Sequence, residues 1–403
     1  MTKEKQNWSL LLGAAFLMAT SAIGPGFLTQ TSVFTDQFRA SFAFVIFASI
    51  ALDIGAQVNV WRIIVVSERR AQDLANELLP GLGYFLAGLI VLGGLAFNIG
   101  NIAGCGLGLN VLFGIPVAYG AVLSAAIAVI LFLSKQANSA LDRCAQGLGF
   151  LMIGLTMYVA ASASPPVGEA LSHTLIPAVE ADQRAAFLLA IVTLVGGTVG
   201  GYITFAGAHR LLDGDVRGAS ALPQVTRSSV SGILVTAVMR TLLFLAVLGV
   251  VSQGLHLDPD NPPASVFRLA AGNIGYKLFG IVLWSAAISS VAGSAYTSVS
   301  FIKTFSKRVE THQRWVIIGF VTLSTIIFVT IGKPVRVLVL AGALNGLILP
   351  VALAVILLAG NSKRIVGSYR HPIWMTVAGA AVVVIMACLG AVTLYSELPK
   401  LVR

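Results

Sequence analysis

The sequence predicts an all-α polytopic membrane protein with eleven helices: two inverted repeats of five and one accessory helix. Three observations carry that prediction. The 403-residue chain is 57% hydrophobic and only 10% charged, with a mean hydropathy of +0.90, whereas soluble domains hold about 25% charged residues. Apolar runs of about 20 residues, the length that crosses a bilayer, recur along the whole chain. Two of those runs, five apart, are interrupted by residues that a helix tolerates badly.

The runs fall near 10–34, 42–66, 82–108, 116–134, 146–163, 186–207, 230–252, 275–301, 315–332, 335–359 and 373–395. The ninth and tenth are parted only by Gly332-Lys333-Pro334. The segment Met1 to Asn7 is short and basic, and the first run carries no small-residue cleavage pattern, so it reads as a retained span. Sixteen Lys and Arg lie on the side of the N-terminus and of the loops after even-numbered spans, against eight on the other side. The excess places the N-terminus in the cytoplasm and the C-terminus outside, in a multi-pass protein of the plasma (inner) membrane. The net charge of +10 therefore belongs to short loops at a lipid bilayer and does not mark a nucleic-acid partner. Cys105, Cys144 and Cys388 are far apart, which gives neither a disulfide framework nor a metal spacing.

The first interruption is Gly24-Pro25-Gly26-Phe27. Proline removes a backbone donor, and each glycine costs about 1 kcal/mol relative to alanine in a helix. The second lies in span 6, where Gly196, Gly197, Gly200 and Gly201 fall within six residues. In lipid, a broken helix is tolerated only where its freed backbone faces protein, water or a solute. The two breaks divide a single transmembrane domain, 1–403, into repeats of about 10–163 and 186–359, with an accessory helix at about 373–395. Close helix packing is the competing explanation for membrane glycines, and it suffices for Gly104, Gly106 and Gly108 on span 3.

The run Asn98-Ile-Gly-Asn101-Ile-Ala-Gly104-Cys-Gly-Leu-Gly-Leu-Asn110-Val-Leu-Phe-Gly114-Ile-Pro116 resembles the third span of the Nramp family of proton-coupled divalent-metal transporters. Arg70-Ala-Gln-Asp73-Leu-Ala-Asn-Glu77-Leu-Leu-Pro80 after span 2 is similar as well. Ser285–Gly293 in span 8 and Ala343–Pro350 in span 10 follow in the family's order. The resemblance covers nearly the whole chain and implies the LeuT-like fold and alternating access. The ligand motifs depart from it. The family's first-span Asp-Pro-Gly-Asn stands here as Gly24-Pro25-Gly26-Phe27, and its sixth-span Met-Pro-His as Gly200-Gly201-Tyr202. The span-3 Asp and Glu that the family links to proton movement are Asn98 and Asn101.

A site made of backbone breaks and neutral side chains is poor in the anionic donors that a divalent ion needs in exchange for its hydration shell. Half-helix N-termini suit a carboxylate instead. The expected substrate-binding residues are Gly24, Pro25, Gly26, Phe27, Gln30, Gly197, Thr198, Gly200, Gly201, Tyr202, Thr204 and Asn345, with Thr29 beside them. Phe27 and Tyr202 would line an apolar pocket, though ordinary helix packing explains them equally well. Such a pocket suits a small organic acid or an amino-acid derivative such as 5-oxoproline. Its rival is a divalent-cation carrier of relaxed selectivity for Mn²⁺ or Mg²⁺.

The expected coupling or gating residues are Asp53, Asn98, Asn101, His209 and Arg240. Asp53 is the one carboxylate halfway along a span, and Arg240 is costly there unless it is paired, either with Asp53 or with an anionic substrate. His209 is expected just past span 6, as a proton site or as a partner for the helix dipole. Arg62 is expected to snorkel to the interface. No cofactor or bound metal is expected beyond a coupling H⁺ or Na⁺, for which Ser289 and Ser290 offer hydroxyls. The sequence holds no nucleophile–base pair for an enzyme. Its longest loops, about 22 residues, are too short for a sensor's output domain. Oligomeric state is left open.

Overall fold

The structure is a computed structural model that describes residues 22–133 and 135–396, without side chains for 135–147 and 150. The start of the expected first span, residues 10–21, and the Cys144 side chain therefore lie outside the described residues. Every described element is helical: α1 (Pro25–Phe38), α2 (Phe42–Ser67), α3 (Ala71–Leu78), α4 (Leu82–Phe113), α5 (Val117–Leu133), α6 (Lys135–Ser162), α7 (Val167–His173) and α8 (Arg184–Thr198). They continue as α9 (Ile203–Asp213), α10 (Leu222–Ser252), α11 (Pro262–Ile302), α12 (Lys307–Thr311), α13 (Gln313–Ile331), α14 (Pro334–Gly360), α15 (Lys363–Val366) and α16 (Ile373–Ser396).

Among the described residues, eight helical stretches are long and apolar enough to cross a membrane. They are nine if Leu151–Ser162 and Val167–His173, bent by 106°, count as one. The expected eleven is not reached by that test, and the reasons are visible. Pro25–Ser67 counts once although its 43 residues contain two helices, α1 and α2, with a sharp turn at Arg39–Ser41. At 1.5 Å per residue a single such rod would overshoot a 30 Å hydrocarbon core about twofold. Val117–Leu133 is apolar but short.

The core of the bundle is the set α1, α4, α8, α11 and α14, which pack on one another, with α2 and α10 closing one flank. Small residues make these approaches possible. A Cβ on Gly104 would overlap the Pro25 ring, one on Gly106 would overlap the Val117 carbonyl, and one on Gly108 would lie 2.7 Å from the Trp284 Cβ. The span-3 glycines are thus packing residues, and Gly104 also seats the first break against α4. A Cβ on Gly196 would collide with the backbone of α14 at Gly342 and Gly346.

Candidate functional site

Both expected breaks are present. α1 begins at Pro25, whose fixed φ and missing N–H suit the first helical position, behind an extended Gly24 (φ −93°, ψ −175°). α8 stops at Thr198 and α9 starts at Ile203. Between them the chain turns through Val199–Tyr202, with Gly201 at φ +51°, a left-handed conformation natural to glycine. The Val199 and Gly200 amides both donate to the Val195 carbonyl, at 2.9 and 3.2 Å, and the Ile203 amide donates to the Gly200 carbonyl at 3.2 Å.

Four polar side chains hold the breaks together. Gln30 on α1 donates through Nε2 to the Leu338 carbonyl of α14 (2.8 Å). A Cβ on Gly197 would come 2.6 Å from the Gln30 Oε1, so glycine there lets the amide fit. Asn345 on α14 donates to the Gly93 carbonyl (3.0 Å) and to the Ala341 carbonyl (2.8 Å). Its Oδ1 presses on Gly201, where any Cβ would overlap it. Arg240 on α10 donates to the Thr198 hydroxyl (2.9 Å) and to the Ser49 hydroxyl (3.4 Å), and its guanidinium carbon lies 4.5 Å over the Phe27 ring. Tyr202 packs edge-on against Phe97 at 5.5 Å, with its phenol beside Asn101 and Ser294.

What distinguishes this centre is unpartnered polarity. Gln30 Oε1, Asp53 Oδ1, both amide atoms of Asn98, Asn101 Nδ2, Tyr202 OH, Thr204 Oγ1, Ser290 Oγ, Arg240 Nε and Asn345 Oδ1 are all buried without a hydrogen-bond partner. Leaving one such group bare costs about 1–3 kcal/mol. So dense a set, gathered where two helices break, is a place prepared for a polar guest or for water. Phe27, Gln30, Thr198, Tyr202 and Asn345 are each 1% exposed or less, so the centre is occluded.

Both ends are shut. At one, the Phe38 ring meets Phe187 edge-on at 5.1 Å and Ser41 bonds the Ala178 backbone through donor and acceptor. At the other, Arg70 at the head of α3 pairs with Asp213 at the end of α9, and Gln72 donates to Thr304 (3.0 Å).

The structure corrects three expectations and narrows a fourth. His209 is not past the end of its helix: α9 runs on to Asp213, and His209 is buried within it, accepting from the Ala71 amide (3.4 Å) and meeting Ser300 (3.3 Å). Arg240 and Asp53 are not in direct ion-pair contact; Thr198 lies within reach of both. Arg62 does not snorkel to the interface but is tied to Thr226 (2.7 Å) and Tyr369 (3.2 Å). Asn345 has committed its amide nitrogen to backbone, which leaves only its oxygen for a guest.

Sequence reasoning missed Trp61, whose indole lies on Gly207 and donates to the Thr204 carbonyl (2.8 Å), fixing α9 to α2. It also missed Ser49 and Ser294, which carry no signal in a single sequence.

Paired broken helices closing on a buried polar centre define a class: a membrane carrier of the LeuT type. Solved structures share the fold. A manganese transporter of Eremococcus coleocola, bound to an aromatic bis-isothiourea compound, superposes with a TM-score of 0.74 at 16% identity, covering 99% of this chain and 90% of that one. MhsT in complex with L-phenylalanine does so with a TM-score of 0.68 at 17% identity, covering 94% and 98%. The chain belongs to the Nramp family: the model for natural resistance-associated macrophage protein-like sequences matches residues 15–396. The membrane protein YcsG of Bacillus subtilis is 62% identical over 99% of this chain and 97% of its own length. The divalent metal cation transporter MntH of Vibrio campbellii is 22% identical over 95% and 91%.

Proposed function

We propose that this Nramp-family transporter is a secondary carrier that imports a small organic acid or amino-acid derivative, 5-oxoproline-like in size, by alternating access. The observation that carries this reading is the charge of the centre. The two breaks offer backbone and neutral side chains beside one guanidinium, with Asp53 the one buried carboxyl group near it and no carboxylate or thioether among Gly24–Phe27 and Gly200–Tyr202. Among the described residues, no three of His, Cys, Asp or Glu gather closely enough to hold a metal ion. An anion is favoured beside a cation and beside helix N-termini, and a hard or borderline dication is not. That the LeuT architecture also serves an amino acid in MhsT agrees with this substrate class.

The shape supports alternating access: two broken helices at the middle of the bundle, with closed contacts at either end. In the proposed orientation the Arg70–Asp213 end faces the cytoplasm and the Phe38–Phe187 end faces outside, as the Lys and Arg bias indicates. The two breaks are then the corresponding elements of two inverted five-helix repeats.

A second reading is favoured by relatives named as divalent metal cation transporters: a carrier of Mn²⁺ or Mg²⁺ with relaxed selectivity, holding a largely hydrated ion through carbonyls. Uptake into proteoliposomes, with Mn²⁺ and a panel of small carboxylates run side by side, separates the two. Saturable uptake of a carboxylate is the expected result. Saturable Mn²⁺ uptake at micromolar concentration without carboxylate uptake would overturn the proposal.

A further inference from the structure

The Arg240 guanidinium is almost wholly buried, at 2% exposure, yet no carboxylate touches it. Its two partners are neutral. The Thr198 hydroxyl gives its own proton to the Leu194 carbonyl (2.7 Å) and the Ser49 hydroxyl gives its proton to the Ile46 carbonyl (2.9 Å), so each presents a lone pair to the arginine. Nε has no partner at all. The Phe27 ring covers one face of the guanidinium from the first turn of α1. Asp53, 1% exposed and one turn along α2 from Ser49, lies within reach of Thr198 and within the arginine's field, with its Oδ1 also unpartnered. A guanidinium and a carboxyl group have thus been buried near each other without an ion pair between them.

We propose that Arg240 and Asp53 form an exchange pair: a solute carboxylate takes the Arg240 guanidinium, and Asp53 takes up one proton in compensation, so that one proton travels with each carboxylate. This rests on the carboxylate-carrier reading above and adds the anchor and the coupling group to it.

The reasoning is charge conservation in a medium that does not solvate charge. In the proposed cycle the empty centre holds Arg240⁺ and Asp53⁻ and is neutral overall. With an anionic solute on the guanidinium it would hold one cation and two anions, and a net charge buried among apolar helices is strongly disfavoured. Like charges sharing a site resolve by protonation of one of them. The proton comes from water on the side where the solute enters, rests on a carboxylate oxygen of Asp53, and returns to water where the solute leaves. No other bond forms or breaks. Both crossing states are then neutral, whereas the solute without its proton is held back.

Among the described residues, no other titratable side chain competes for this role. On the helices that pack against α2, Glu169, Arg184, Arg210, Asp213, Arg227, Arg336, Lys363, Arg364, Cys388 and Tyr395 are exposed, and His173 is half-buried. His209 is turned to Ala71 and Ser300, and Tyr202 to Asn101 and Ser294. Asp36, on α1, pairs with Arg39.

The test uses the full chain in proteoliposomes loaded with the pH dye pyranine, with radiolabelled 5-oxoproline, glutamate and lactate as probes. Wild type is expected to acidify the lumen by one proton per carboxylate and to accumulate the probe when the outside is made acid. Asp53→Asn is expected to keep tracer exchange at equal concentrations while losing accumulation and the pH dependence of uptake. Arg240→Lys is expected to raise KM at least tenfold, because it keeps the charge but loses the fork. The double variant Asp53→Asn, Arg240→Gln leaves no bare charge and controls for folding; it is expected to reconstitute without binding the probe. Carboxylate uptake without acidification, or an undiminished pH-driven accumulation by Asp53→Asn, would overturn the inference and leave the carrier reading standing. Movement of no carboxylate by folded wild type would overturn both.

Discussion

Gly201 shows how much one missing methyl group decides. Its φ of +51° is a conformation that costs an L-residue about 1–2 kcal/mol, and its Cα faces the Asn345 oxygen with no room for a Cβ. Gly332 makes a natural control: its φ is +65°, but nothing lies within 4 Å of where its Cβ would be. Gly332→Ala should therefore lose only the conformational part. Gly201→Ala should lose that and about 1–3 kcal/mol more for overpacking, and should abolish uptake by pushing Asn345 out of place. Thermal unfolding in detergent measures both. If the two variants melt alike, Asn345 yields freely and the close fit at the second break has no energetic meaning. The same residue explains why a glycine can be read correctly as a break while its partner goes unseen. Gly-Gly announces a turn, but nothing local announces that an asparagine 144 positions away fills the space it leaves.

At the scale of elements, the turn before α16 is held to α2 by a short chain of bonds. Arg62 donates to the Tyr369 hydroxyl (3.2 Å), which faces His371 Nδ1 (3.1 Å), and His371 Nε2 meets the Asn59 oxygen (2.6 Å). Tyr369 donating to Nδ1 fixes the proton on Nε2. Burial, with the charge of Arg62 added, lowers the His371 pKa from 6.5 to about 4. The unfolded chain therefore takes a proton before the folded chain does. The stabilisation from neutral His371 is complete above about pH 6.5 and is lost as pH falls toward 4. Wild type should lose thermal stability across that window. His371→Gln, which keeps a donor toward Asn59, should show a flatter acid limb. Equal acid limbs would mean that the turn is not what yields first.

Among the elements, those with long unbroken apolar runs were the most legible. α2, α4, α10, α11, α14 and α16 each contain an expected span, and α13 stops one residue short of its own. Legibility fails at ends: the apolar run of the sixth span stops at 207, whereas α9 continues to Asp213 because Leu211 and Leu212 are buried there. It fails also for α3, an amphipathic helix of eight residues that lies between two spans and supplies Ala71 and Gln72 to its neighbours. A hydropathy run long enough to cross a bilayer cannot register so short a piece. The site divides the same way. The breaks and the lone span charges stand out because lipid makes them expensive, while Ser49, Trp61 and Ser294 look like any other span residues until the helices are assembled.

The molecule as a whole is closed at both ends, so its working cycle depends on how firmly each end is held. The Arg70 end joins three elements. Arg70 pairs with Asp213 of α9, Tyr296 of α11 reaches the same carboxylate (3.4 Å), and the Ala71 amide of α3 bonds His209 of α9. Asp213 retains 39% of its side-chain exposure and Arg70 13%, so water screens the pair and its share is about 0.2–1 kcal/mol. That is small against folding but large against an equilibrium between closed and open carriers, where 1.4 kcal/mol is a factor of ten. Arg70→Glu places two carboxylates together and should open this end without unfolding the bundle. Ser300→Cys, at a position buried beside His209, reports the change once Cys144 and the exposed Cys388 are made serine. Its alkylation by a water-soluble maleimide should rise several-fold in Arg70→Glu. It should return to the wild-type rate when Asp213→Arg restores the pair in reverse. An unchanged rate in Arg70→Glu would mean that the apolar contacts of α9 with α2 and α11 hold this end alone, and that the ion pair is a bystander.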